Sequence, residues 1–256
     1  MADDDLGDVS ARVSTLGRRY GLPAGAIAQL SSLLAALVAD PLAPTAVREP
    51  LKAVDDHLAD ALVALELEPI RVAASIADLG AGAGIPGLPL AIALPDARVY
   101  LVESGTRKCA FLRRVIATCR VANAVVVHSR VEAWSSGLRR FDVVTARALA
   151  PLAVVEEYAA PLLRVGGHLV VWRGHRDPVA EESAERAARE LGLELDRPRP
   201  VQPYEGAEHR HLHLGLKVRE TPAAFPRREG IARKRPLGGR GASAWRDEPR
   251  SDRAWR

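Results

Sequence analysis

Asp78-Leu79-Gly80-Ala81-Gly82-Ala83-Gly84-Ile85-Pro86-Gly87 stands between a short apolar run, residues 75–79, and a helical one, residues 88–94. Glycines let a backbone turn tightly and let a ligand approach the main chain to van der Waals contact. In an open parallel sheet such a loop lies at the carboxyl end of the first strand, near the point where strand order reverses and ligands bind. About 23 residues beyond Gly80, Glu103 ends the next apolar run. A carboxylate there can accept both hydroxyls of a ribose. Two cofactor classes fit. Gly82-Ala83-Gly84-Ile85-Pro86-Gly87 satisfies the G-x-G-x-x-G pattern of a dinucleotide site. Gly80-x-Gly82-x-Gly84 after Asp78 instead suits a nucleoside ligand with no pyrophosphate to bind.

Outward from this loop, apolar runs alternate with helical ones. Strands are expected at 75–79, 98–103, 124–128, 142–145, 168–172, 194–198 and 211–217, and helices at 88–94, 106–119, 131–135, 151–163 and 178–191. Strands joined through helices require crossovers, so the expected fold is α/β: a doubly wound, mainly parallel, seven-stranded sheet. The last two strands, with Pro-rich sequence between them, read as an antiparallel hairpin at one edge. Before the sheet, Leu30, Leu33, Leu34, Leu37 and Val38 recur at helical spacing. The prolines of Asp40-Pro41-Leu42-Ala43-Pro44 interrupt them, and a second helix is expected over 50–67. The division that follows is a helical cap over 1–70, a Rossmann-like catalytic domain over 71–219 and a basic tail over 220–256.

Charge supports that division. The 256 residues carry a net +4, yet residues 220–256 hold 10 Arg or Lys against 5 Asp or Glu, leaving the body near neutral. A basic arm suits an anionic partner, and Trp245 and Trp255 among its arginines could stack on bases. With Pro, Gly and Arg and no apolar period, the tail is expected to be loosely ordered. Two cysteines, Cys109 and Cys119, cannot build a disulfide framework or a four-Cys zinc site. His209, His211 and His213 alternate on one strand face without a carboxylate or thiol among them, so no metal is expected. The acidic start and the shortness of the apolar stretch 27–39 point to a cytoplasmic protein with no membrane span.

Downstream motifs separate the two cofactor classes. The third strand is followed by His128-Ser129-Arg130-Val131-Glu132, the fourth runs into Thr145-Ala146-Arg147, and a Gly166-Gly167 turn leads into the fifth. Together with Glu103 these resemble the layout of class I methyltransferases. The run from Asp78 through Gly87-Leu88-Pro89-Leu90-Ala91-Ile92 resembles the signature of the RsmG (GidB) family, bacterial 16S rRNA guanine-N7 methyltransferases. Val102-Glu103-Ser104, Lys108, Phe111-Leu112-Arg113, Ser129-Arg130-Val131-Glu132 and Arg147-Ala148 match further. So do His57-Leu58-Ala59-Asp60 in the cap and Thr221-Pro222 through Phe225-Pro226-Arg227-Arg228 to Pro236-Leu237 in the tail.

The resemblance implies methyl transfer from S-adenosyl-L-methionine to N7 of one guanosine in 16S rRNA, acting on naked rRNA, an assembly intermediate or the small subunit. It implies cofactor contacts at Gly80, Ile85, Val131, Glu132 and Arg147. The physical reading of the loop adds Gly82, Gly84 and Glu103. Departures from the family pattern are Leu42-Ala43-Pro44-Thr45 where Asn-Leu-Thr is usual, Glu103 where Asp is common, and Arg173-Gly174 where Lys-Gly is frequent.

Guanine N7 carries an in-plane lone pair and no proton, so attack on a sulfonium methyl needs alignment and no general base. Accordingly no catalytic acid, base or nucleophile is assigned. Neither a Pro-Cys pair nor an Asn-Pro-Pro-aromatic motif is present. Arg107, Lys108, Arg113, Arg114, Arg139 and Arg140 could contact phosphates, and a monomer is expected. Two other readings stay open: a nicotinamide-dependent oxidoreductase, and a non-catalytic RNA-binding module with a vestigial pocket. Removal of 221–256 is expected to weaken RNA engagement and leave cofactor affinity unchanged.

Overall fold

Apolar segments too short for helices, spaced by amphipathic helices, leave the chain one way to bury both: a central sheet with helices on its faces. The computed structural model describes residues 3–239. Its strands are β1 (Ser75–Leu79), β2 (Arg98–Glu103), β3 (Ala124–His128), β4 (Phe141–Arg147), β5 (Leu163–Arg173), β6 (Leu193–Leu195), β7 (Arg199–Pro200) and β8 (His211–Lys217). The sheet runs β3-β2-β1-β4-β5-β8-β6, with β7 also paired to β8. The first five strands are parallel, and β8 enters antiparallel between β5 and β6. Order reverses between β1 and β4, so the carboxyl ends of those two strands flank the crevice in which such sheets bind ligands.

This is the expected doubly wound fold, with one strand more than counted. The strand expected at 194–198 is two short pieces, β6 and β7, both antiparallel to β8. Pro198 has no N–H to offer a ladder, and the edge breaks there. Short edge strands also leave little unpaired backbone for another chain to pair with. The segment expected to be helical at 131–135 is two tight 3₁₀ turns, Val131–Ala133 and Ser135–Gly137.

On one face of the sheet the helices Asp3–Tyr20 and Ala26–Ala39 share an apolar cluster with Ile76, Leu101, Phe111 and Leu112. Cap and sheet thus bury side chains in the same core. The opposite face is covered by the helices Leu152–Ala159 and Pro178–Leu191. The second cap helix is irregular. Between Pro50–Ala53 and Asp60–Leu62 it widens into a π-helical turn, Val54–Ala59. Such turns are rare and recur at functional sites.

The tail differs from expectation over its described part. Residues 221–239 form a strap docked across the Leu152–Ala159 side of the sheet. Ala232 and Leu237 are buried there. Arg227 is ion-paired with the buried Glu157 through Nε at 2.6 Å and through Nη2, and Arg186 donates to the Gly238 carbonyl at 2.7 Å. Specific partners hold it where composition offered no apolar period. Residues 240–256, with Trp245 and Trp255, lie outside the described residues. Among the described residues no helix is long and apolar enough to cross a membrane, and no group of His, Cys, Asp or Glu could hold a metal ion.

Candidate functional site

The glycine loop is folded back over β2 by its own backbone: the N–H groups of Gly80 and Ala81 donate to the Val102 carbonyl at 2.8 and 3.1 Å. Asp78, fully buried at the end of β1, accepts from Gly87 N at 3.1 Å and from the Thr145 hydroxyl at 2.9 Å. It therefore ties both ends of the loop to β4. Burial pushes its carboxyl up to about 7.

The three loop glycines do different things. A Cβ at Gly80 would lie 2.5 Å from Leu149 Cδ1, and one at Gly84 would lie 2.4 Å from Leu88 Cδ1, so both allow close packing. A Cβ at Gly82 would meet only the Gly80 carbonyl, at 3.6 Å, and would otherwise stand in open space. Gly82 has φ +54°, which favours glycine. It is the position where the main chain lies bare to a ligand.

Glu103, buried at the end of β2, accepts from Gly82 N at 3.1 Å and from Gly105 N at 2.7 Å, with Lys108 Nζ 3.9 Å away. Each carboxylate oxygen retains acceptor capacity. Gly80, Glu103, Val131 and Glu132 line one cleft of about 470 Å³, with Tyr158, Ala148 and Arg233 across from them. Four of the eight site residues expected from sequence are therefore gathered here, and Gly82 joins them through its hydrogen bond to Glu103. Gly84 and Ile85 do not line this cleft; Gly84 is buried behind the loop and Ile85 packs on the apolar core.

Arg147 points elsewhere. Its Nη1 lies 2.8 Å from Asp60 Oδ2, and it lines a second cavity, of about 370 Å³, beyond the ends of β4 and β5. Asp56, Asp60, Trp172 and Arg210 also line that cavity. The Trp172 indole donates to the Asp60 carbonyl at 2.7 Å, and Arg210 Nε lies 3.5 Å from Asp60 Oδ1. Burial raises the Asp60 carboxyl and lowers the neighbouring His57 imidazole, whose Nε2 is 2.9 Å from the Thr45 hydroxyl. Ala148 borders both cavities and holds φ +52°, a conformation uncommon for a residue with a Cβ.

Sequence reasoning missed the strap's part in the first cleft. Gly230 N donates to Glu132 Oε1 at 3.0 Å, Glu229 pairs with Arg130 at 3.1 Å, and Arg233 donates to the Leu149 carbonyl at 2.9 Å. Pro-Arg-Arg in the tail signalled charge, and nothing local signalled where that charge would dock. Tyr158 was missed for another reason: it is one apolar-face position of a helix, raised above its ordinary value by burial and by the neighbouring Glu132.

Known proteins resemble this chain in sequence and in fold. The GidB family model, "rRNA small subunit methyltransferase G", matches residues 34–198. A protein of Rubrobacter xylanophilus named "Ribosomal RNA small subunit methyltransferase G" is 42% identical over 200 residues, covering 76% of this chain and 77% of its own. One of the same name from Chloroflexus aggregans is 42% identical over 197 residues, covering 75% and 82%. Among solved structures, Aeropyrum pernix fibrillarin, crystallised with natively bound S-adenosyl-L-methionine, superposes with a TM-score of 0.50 at 19% identity, covering 62% of this chain and 73% of that one. The mitomycin 7-O-methyltransferase MmcR gives 0.52 at 14% identity, covering 66% and 55%. At such identities the likeness concerns the fold.

Proposed function

The chain belongs to the rRNA small subunit methyltransferase G (GidB) family, and from that premise we propose that it transfers a methyl group from S-adenosyl-L-methionine to N7 of a guanosine in 16S rRNA. The observation that carries the reading is the first cleft: an acceptor-rich Glu103 at the end of β2 and Val131-Glu132 beyond the end of β3 line one space with Gly80, and the bare main chain of Gly82 is bonded to Glu103 beside it.

These residues fit an adenosyl ligand. A side chain at Gly82 would fill the approach. Glu103 offers only acceptors, which suits two ribose hydroxyls, and the Val131-Glu132 turn offers an apolar contact and backbone groups to an adenine edge. They fit a dinucleotide poorly. A pyrophosphate needs unspent N–H groups at the helix start, whereas Gly82, Gly84, Gly87 and Leu88 already donate to Glu103, Ala81, Asp78 and Gly84. The Glu103 carboxylate would also repel its charge.

When bound, the cofactor supplies an electrophilic methyl on a sulfonium. What remains for the protein is to hold the target ring nitrogen in line with it and to exclude water. No residue needs to take a proton, because N7 has none to lose. Arg147 lines the second cavity next to Ala148, the residue that borders both, and in this reading it takes the cofactor carboxylate while Asp60 fixes its orientation. The reading carries with it a monomer and a cytoplasmic location, where an rRNA substrate would be met.

Calorimetric titration tests the cofactor half of this reading. S-adenosylhomocysteine is expected to bind at one site per chain, with no heat from NAD. Binding of NAD alone would favour the oxidoreductase reading. RNA affinity that falls steeply with salt, with no cofactor binding, would favour the RNA-binding module.

A further inference from the structure

The second cavity is separate from the cleft read as the cofactor site and meets it at Ala148. Its polar groups are graded. The floor carries two carboxylates: Asp60 is buried, with Arg147 against it, and Asp56 beside it is about one-sixth exposed. The outer wall is more open, and Arg173 and Arg210 make it cationic. A nucleotide swung out of its stack has the complementary form, with a neutral base leading and an anionic phosphate trailing. Enzymes acting on a base extrude it in this way and read its Watson–Crick edge by hydrogen bonds, while phosphate contacts set register.

The two floor carboxylates differ in what they have left to give. Asp56 takes Lys52 at 2.8 Å, the Tyr204 hydroxyl at 2.9 Å and Arg210 at 3.6 Å. Asp60 has one arginine near each oxygen, Arg147 at 2.8 Å and Arg210 at 3.5 Å. A carboxylate has about four acceptor positions, so Asp60 can still accept two donors. Guanine presents two neighbouring donors, N1–H and the 2-amino group, on the edge opposite N7. Adenine presents a lone pair at N1 and no 2-amino group, and would be repelled.

We infer that this cavity receives the target guanine, with Asp60 holding its N1–H and 2-amino edge so that N7 faces the cleft across Ala148. The inference rests on the methyltransferase reading and assigns Asp60 as the residue that selects guanine. In the reaction the N7 lone pair forms the new N–C bond and the C–S bond breaks with its electron pair left on sulfur. The positive charge moves from sulfur to the guanine ring, and no proton is transferred. A carboxylate against that ring opposes the charge it gains. The π-helical turn next to Asp60 and the strained Ala148 both fall on this path.

The test replaces the methylated guanosine, once mapped with the wild-type protein, by inosine, which lacks only the 2-amino donor. Wild type is expected to lose about tenfold in kcat/KM on inosine, the worth of one hydrogen bond to a buried charged group. Asp60→Asn is expected to methylate guanosine about 10- to 100-fold more slowly and to show no preference between the two bases. A residue acting only through Arg147 would slow both substrates and leave their ratio unchanged. Equal use of guanosine and inosine by wild type, or a wild-type ratio in the variant, overturns the inference.

Should Asp60→Asn fail to fold, the wild-type ratio still decides, together with Val201→Trp, which fills the cavity from its outer wall. That variant is expected to lose methyl transfer at unchanged cofactor affinity, and full activity would count against the cavity. No transfer by wild type to any guanosine substrate would overturn the underlying reading, and this inference with it.

Discussion

Glu157 is 1% exposed, and its only side-chain partner among the described residues is Arg227, seventy positions along the chain. Arg227→Ala would leave that carboxylate buried and unpaired. Breaking a buried pair from one side costs about 3–5 kcal/mol. The Arg227 side chain is 24% exposed, so water reaches the site once it is gone and the lower end, about 3 kcal/mol, applies. For a chain of this size that lowers Tm by roughly 6–12 °C.

The same change should loosen the strap. The Gly230 hydrogen bond to Glu132 and the Arg233 contact with Leu149 depend on its docking. Losing one charge-assisted bond that orients Glu132, about 1.5 kcal/mol, weakens S-adenosylhomocysteine about tenfold. Thermal melts and calorimetry on Arg227→Ala, and on Arg227→Ala with Glu157→Leu, test both. The double variant should recover most of the lost stability without recovering the affinity. A single variant melting within 2 °C of wild type, taking ~2 °C as below 1 kcal/mol, or a double variant no better than the single, would refute the reasoning. Wild-type cofactor affinity after removal of 221–256 would do the same for the strap's part in the cleft, and would restore the expectation drawn from the sequence.

Gly82→Asp should keep the fold and lose cofactor. Its side chain would enter the cleft beside Glu103, and overpacking there costs about 10- to 100-fold in S-adenosylhomocysteine affinity by calorimetry; unchanged affinity would remove Gly82 from the site. Asp78 gives a pH signature. Its carboxyl moves from 3.8 unfolded to about 7 folded, so between those values the native state holds a proton that the unfolded chain has released. Stability from this group is complete below pH 3.8 and is lost as pH rises through about 7. Asp78→Asn can still accept from Gly87 N and donate to Thr145, so the difference in melting temperature, variant minus wild type, should grow from pH 4 to pH 7. A difference constant over that range would contradict the buried, proton-holding carboxyl.

Much of this molecule was legible along the chain because its signals are local. Val125-Val126-Val127 and Val143-Val144 read as strands at sight, and the register of β1 against β2 and β4 puts the glycine loop and Glu103 side by side. What escaped depends on pairs far apart in sequence. Arg147 and Asp60 are 87 positions apart, and the ion pair that fixes where the arginine points has no local signature. The strap was read as loose because Ala232 and Leu237 are too few to make a period; its order comes from Glu157, Glu132 and the Gly238 carbonyl. The π-helical turn has no local signature, since no residue type in Val54–Ala59 marks a widened turn over an ordinary helical one.

The central claim is a reaction at one atom, and the most direct measurement follows that atom. Small subunits lacking the modification are incubated with the protein and S-adenosyl-L-methionine labelled in the methyl group, and the 16S rRNA is digested to nucleosides. The account predicts label in 7-methylguanosine at a single position. Label in another nucleoside, or none with subunits and naked rRNA both supplied, would contradict it.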